Sequence, residues 1–147
     1  MNNLRNTLNN MQQLLQELEI VLAEELNQLN RAQVNPVALQ MLSDSKSRLL
    51  SAINFYDEQR KAEERQAGIA APYGQHPGLK RLWDNIIATV RVTKEMNNNA
   101  CPLIELQMKK AAMLKNMVSK ASAATAIYSA EGRTQETPKG KAYSINI

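Results

Sequence analysis

Apolar residues recur every three or four positions through the first 29 residues, and this spacing constrains the fold more than any other feature. The steps alternate between four and three, with Glu25 as the one interruption and Leu26 beside it to cover the gap. The members of the series are Leu4, Leu8, Met11, Leu15, Leu18, Leu22 and Leu29. Such heptads predict a helix that packs against other helices as in a coiled coil. A helix of about 30 residues is about 45 Å long, so we expect an elongated molecule.

Glycine and proline divide the rest of the chain. Residues 1–35 and 37–67 contain neither, whereas five lie close together at Gly68, Pro72, Gly74, Pro77 and Gly78. That cluster predicts a loop. Pro102 lacks a backbone donor and disfavours helical dihedrals in Cys101, so we expect a kink or a short break in the third helix there. The predicted helices span about 2–33, 36–67, 78–98 and 102–127.

The pattern predicts an all-α fold, an elongated antiparallel helical hairpin or bundle of three long helices over residues 1–118. The last helix extends past the bundle. We expect the polar run 57–65 to project into water or fray, and Phe55, Tyr56 and Trp83 to serve the core. Residues 119–147 are rich in Ser, Ala, Thr, Gly and Lys. Such a segment buries too little apolar area to offset its ordering entropy, which predicts a flexible, partner-binding C-terminal region.

The residues that could carry catalysis or hold a metal are few. The chain has six aromatic residues, one cysteine and one histidine. Cys101 has only His76 as a possible imidazole partner, and His76 lies in the Gly/Pro loop. Zinc sites of the usual spacing and phosphate-binding loops are absent from the sequence. The sequence therefore predicts a non-enzyme without cofactor or metal. Because it lacks the apolar stretch of a signal peptide or membrane span, we expect a soluble cytoplasmic protein.

Charge is distributed unevenly along the chain, although the net charge is only +4. Residues 1–30 carry one basic and four acidic side chains, a balance of −3, and residues 102–120 carry four lysines and Glu105, a balance of +3. Antiparallel helices of opposite sign could simply attract one another. Alternatively, the basic helix receives an amphipathic or acidic partner helix. Met108, Met113 and Met117 favour the second interpretation, since methionine is common on surfaces that accept helices, but methionine also fills ordinary cores.

Three segments, taken in order along the chain, resemble the flagellar FlgN family of type III export chaperones. The segment from Lys46 to Leu50 is similar to a Glu-Lys-x-x-Leu-Leu block, with Ser45 in place of the Glu. Asn97, Leu103 to Glu105, and Gln107 are similar to Asn-x-x-Asn-Gly-x-Leu-Leu/Ile-Glu, with Ala100-Cys101 in place of Asn-Gly and Pro102 following. The tail resembles Tyr-x-x-x-Gly, a basic stretch and a final Ser-Ile, at Tyr128, Gly132, Lys139 to Lys141, Ser144 and Ile145.

The resemblance implies a cytoplasmic chaperone that binds the C-terminal segments of the hook-filament junction proteins FlgK and FlgL. It further implies delivery of this cargo to the export gate, where the cytoplasmic domain of FlhA is the expected receptor. By position, the predicted cargo-binding residues are Leu103, Ile104, Leu106, Met108, Leu114 and Met117. Tyr128 and Gly132 are the predicted gate-docking residues.

Two other functions compete with this interpretation. One is a structural coiled-coil or bundle subunit that assembles with its own copies and handles no export cargo. The other is a small helical protein associated with nucleic acid, but clustered arginines and interleaved aromatic residues, which such binding favours, are absent. The sequence does not determine the oligomeric state. A weak homodimer is one of the states compatible with it. No part of the chain indicates membrane insertion.

Overall fold

The computed structural model describes residues 2–123, with side chains placed as far as residue 121. This part of the chain forms three α-helices joined by two connecting segments. They are α1 (Asn2–Leu29), α2 (Pro36–Ala67) and α3 (Pro77–Ala123). The all-α bundle predicted from the heptads is confirmed. At 1.5 Å per residue, α3 with its 47 residues is about 70 Å long, whereas α1 with 28 residues is about 42 Å long.

Helix α1 lies at the centre of the bundle, packed against both α2 and α3. Its apolar series is fully covered, from Leu4 to Leu22. Contacts along α1 give the directions of its neighbours. Thr7 bonds to Glu63 and Glu25 pairs with Lys46, so α2 runs antiparallel to α1. Arg5 lies against Gly78, and Lys46 also reaches Asn97, so α3 runs parallel to α1.

The turn after α1 begins earlier than the sequence predicts. Helix α1 ends at Leu29 rather than at residue 33. The cause lies at the start of α2, where the Asn35 side chain accepts hydrogen bonds from the backbone N–H groups of Val37 and Ala38, and Pro36 takes the first helical position. This cap requires an extended backbone at residue 35, and the chain needs the preceding residues to reverse its direction.

The polar run 57–65 at the end of α2 is helical and partly buried. The prediction that it projects into water or frays is wrong for Asp57 and Arg60, which are buried, whereas Glu58, Gln59 and Arg65 are exposed. Arg60 bonds to Asp57 and Glu64, and its guanidinium carbon lies 4.6 Å from the centre of the Trp83 ring. Tyr73 from the loop stacks edge-on against Trp83 and donates a 2.8 Å hydrogen bond to Glu64, while burial raises the pKa of its hydroxyl. Because these polar groups satisfy one another, the end of α2 can pack against α3.

The prediction for the three helical aromatic residues is only partly correct. Trp83 is buried and Tyr56 is half-buried, but Phe55 is 63% exposed. The buried positions of α2 are Ile53, Asp57 and Arg60, spaced by four and three. Phe55 lies two positions from Ile53, about 200° around the helix, and therefore points away from α1.

Helix α3 continues through Pro102 without a break. The predicted helices 78–98 and 102–127 are therefore one helix as far as Ala123, and residues 124–127 lie outside the described part. The boundary predicted at 118/119 also falls inside this helix. Proline removes one backbone hydrogen bond, but Ala100 is buried just before it and strong helix formers follow it, so the helix is held on both sides.

Candidate partner-binding surface of the third helix

The last turns of α3 extend beyond the end of α1. Glu25 and Asn97 both contact the Lys46 amine, so these two residues lie at the same level of the bundle. Four residues later α1 ends, at about the level of residue 101. The segment 103–121, which we call the overhang, therefore runs for about 28 Å with no α1 beside it.

Exposed apolar side chains accumulate on the overhang. Leu106 is 46% exposed, Leu114 is 62% exposed, and Met113, Met117 and Val118 are each 64% exposed. Every side chain from Lys109 to Ala121 is exposed. Large apolar side chains exposed side by side on a protein surface typically mark a contact with another molecule.

The structure divides the six predicted cargo-binding residues into two groups. Leu103, Ile104 and Met108 are half-buried where α1 and its following turn end, whereas Leu106, Leu114 and Met117 are exposed. Two exposed apolar residues, Met113 and Val118, were missing from the predicted set. Val118 could have been found by counting the heptad of α3 onward from Trp83. The predicted docking residues Tyr128 and Gly132 lie outside the described residues.

Basic side chains accompany this apolar surface. Lys109, Lys110, Lys115 and Lys120 are all exposed, and within residues 2–123 none of them forms an ion pair. The attraction to α1 that could have explained the charge asymmetry does not involve these lysines, since α1 ends before them. The overhang is thus an exposed helix that combines apolar and positively charged groups, which suits an amphipathic partner with acidic residues.

Residues with catalytic or metal-binding potential do not converge in the described part of the chain. Cys101 is half-buried in α3, and His76 precedes the first turn of the same helix, about 36 Å away along its axis. From residue 2 to residue 123, no three His, Cys, Asp or Glu side chains are placed to hold a metal ion. None of the three described helices is long and apolar enough to cross a membrane.

Comparison with known proteins gives one consistent result. The family model for FlgN protein matches residues 1–136. Over 140 residues, the chain is 25% identical to the flagella synthesis protein FlgN of Escherichia coli K12, covering 95% of this chain and 96% of the relative. Its Salmonella typhimurium counterpart is 24% identical over the same coverage. A FlgN of Yersinia enterocolitica is 30% identical over 84 residues, and that alignment spans 57% of either protein. No solved structure matches.

Proposed function

The chain belongs to the FlgN family of flagella synthesis proteins, and we propose that it is a cytoplasmic export chaperone without enzymatic activity. Its cargo is the C-terminal segments of the hook-filament junction proteins FlgK and FlgL. It delivers them to the type III export gate, at the cytoplasmic domain of FlhA. The observation that carries this proposal is the overhang, an apolar and basic helical surface beyond the end of α1.

The chemistry of the overhang suits a chaperone that must later release its cargo. Leu106, Leu114 and Met117 offer apolar contacts at helical spacing, as packing against an amphipathic partner helix requires. Methionine side chains repack easily and accept related sequences, which suits two cargo proteins. A single exposed helix also gives a smaller interface than an enclosed groove would, so the cargo can dissociate at the gate.

Binding of purified cargo fragments tests the proposal. The full chain is titrated with the C-terminal segments of FlgK and FlgL, and the dissociation constant is measured by calorimetry. Substituting Leu106, Leu114 and Met117 by Gln keeps helix propensity nearly constant and removes the apolar surface. We expect this variant to bind at least about tenfold more weakly.

A matched control lies outside the overhang. Ile20, Phe55 and Val92 are 70%, 63% and 42% exposed, so their triple substitution by Gln removes a similar apolar surface elsewhere. We expect that control to change the dissociation constant by less than about twofold. Equal weakening in both variants, or no binding to the unmodified chain, would contradict the proposal. Sedimentation showing a large homo-oligomer indifferent to the fragments would favour the self-assembling structural subunit instead.

A further inference from the structure

The face of α3 that packs against α1 follows a strict heptad. Its residues alternate steps of four and three, and all of them are buried. They are Leu79, Trp83, Ile86, Val90, Thr93, Asn97 and Ala100. This face is called the α3 seam below. In heptad notation its members occupy the a and d positions, which contact the partner helix in a coiled coil.

The α3 seam continues in the same register after α1 has ended. The next members are Ile104, Gln107, Ala111, Leu114, Val118 and Ala121. Ile104 and Gln107 are half-buried, and the last four are exposed. Because α3 is one uninterrupted helix, these residues lie on the face that α1 covers farther back. Among residues 2–123, about two heptads of this helix–helix interface therefore continue past the end of α1 without α1 beside them.

Two lysines border the uncovered part of the seam. Lys110 occupies a g position and Lys115 an e position, on opposite sides of Leu114. Side chains at e and g form the ion pairs between helices in coiled coils, and they select partners of opposite charge. A second copy of this overhang would bring the same lysines into the interface, which like-charge repulsion disfavours.

We propose that the uncovered seam binds an acidic amphipathic helix, which lies in line with α1 and takes over its place on α3. The partner helix provides apolar residues at a and d over two heptads, and Glu or Asp at its e and g positions. The inference rests on the proposed function, because such a helix is then the part of the cargo that the chaperone holds. It adds the chemical class of that segment and restricts its site to the α3 seam. Of the predicted cargo-binding residues, the seam contains Ile104 and Leu114 but not Leu106, which lies one heptad before Met113.

Adjacent residues of equal exposure provide the decisive comparison. Leu114 belongs to the seam, whereas Met113 lies about 100° away from Leu114 and about 140° from Val118. Both are exposed to nearly the same extent and lie in the same turn, so Leu114→Gln and Met113→Gln perturb the helix alike. For the junction-protein fragments, we expect Leu114→Gln to raise the dissociation constant about tenfold or more, and Met113→Gln to raise it less than about twofold.

Charge reversal gives a second matched pair. The variant Lys110→Glu with Lys115→Glu reverses the two seam-flanking charges, and the variant Lys109→Glu with Lys120→Glu reverses two charges at the outward f and c positions. The probe is a designed 21-residue helix with Leu at a and d and Glu at e and g, tested beside a version with Lys at e and g. We expect the Glu peptide to bind the full chain, and the first variant to weaken that binding more than the second.

The outcomes separate this inference from the proposed function. If the junction-protein fragments bind but the Leu114 and Met113 variants weaken them equally, the seam is not the site, while the chaperone function stands. If the Glu peptide binds at the seam but the fragments do not bind at all, the inference stands and the proposed function fails. Preference for the Lys peptide, or a homodimer that Leu114→Gln dissociates, would overturn the acidic helix as the occupant.

Discussion

Glu25 occupies a heptad position of α1 at which an apolar residue such as leucine is expected. It is buried, and its carboxylate oxygens lie 3.1 and 3.2 Å from the Lys46 amine. The same amine lies 3.4 Å from the Asn97 side-chain oxygen, so one lysine joins all three helices. A buried ion pair adds little net stability, but losing one partner leaves the other charge buried without compensation.

Removal of Lys46 should therefore cost far more than removal of both charges. We expect Lys46→Met to lower the free energy of unfolding by about 3 kcal/mol, and the additional substitution Glu25→Leu to recover most of that loss. Urea denaturation measures both effects. The control is Lys80→Met, which breaks an exposed pair with Asp84 and should cost less than about 1 kcal/mol. Equal losses for Lys46→Met and Lys80→Met would contradict the role assigned to Lys46.

The sequence predicts that each helix exists better than it predicts where the helix ends or which of its side chains are buried. The start of α2 follows directly from Asn35-Pro36, since capping is a local property. The burial of Asp57 and Arg60 depends on Trp83 and Tyr73, which reach them only in the folded bundle. No sequence pattern around Asp57 and Arg60 indicates that Trp83 and Tyr73 will contact them.

The candidate site illustrates the same limit. Apolar spacing indicates which residues of α3 form a face, but their exposure depends on where α1 ends. With α1 ending at Leu29 rather than residue 33, the uncovered part of the face begins about one turn earlier. The six residues predicted by resemblance therefore include three that are half-buried beside that end.

Pro102 lies where α3 leaves the cover of α1, and its replacement tests the continuity of the helix. Ala at this position supplies the missing N–H donor and removes a penalty of up to about 3 kcal/mol. We expect Pro102→Ala to slow hydrogen exchange of the backbone amides in 103–121. Pro77→Ala is the control, because proline at the first helical position costs little. Unchanged exchange in Pro102→Ala would mean that the missing hydrogen bond at Pro102 does not limit the stability of the overhang.

At the scale of the whole molecule, the proposed function assigns cargo binding and gate docking to different parts of the chain. The proposed cargo surface lies within α3, which ends at Ala123 in the described structure. The residues that resemble the docking motif, Tyr128 and Gly132, follow it. The two functions should therefore be separable by a cut after α3, whereas a cut at residue 119 would also shorten the uncovered seam.

Deletion of residues 124–147 should abolish docking to the cytoplasmic domain of FlhA and leave cargo affinity within about twofold of that of the full chain. Circular dichroism should report nearly unchanged helix content, since α1, α2 and α3 all remain.

The single substitution Tyr128→Ala should reproduce most of the docking loss, because an aromatic anchor supplies much contact area for few frozen torsions. Pull-down with the FlhA domain measures docking, and Tyr143→Ala serves as the matched aromatic control. Normal docking by the shortened chain would refute the assignment of Tyr128, and loss of cargo binding would show that the tail belongs to the cargo site.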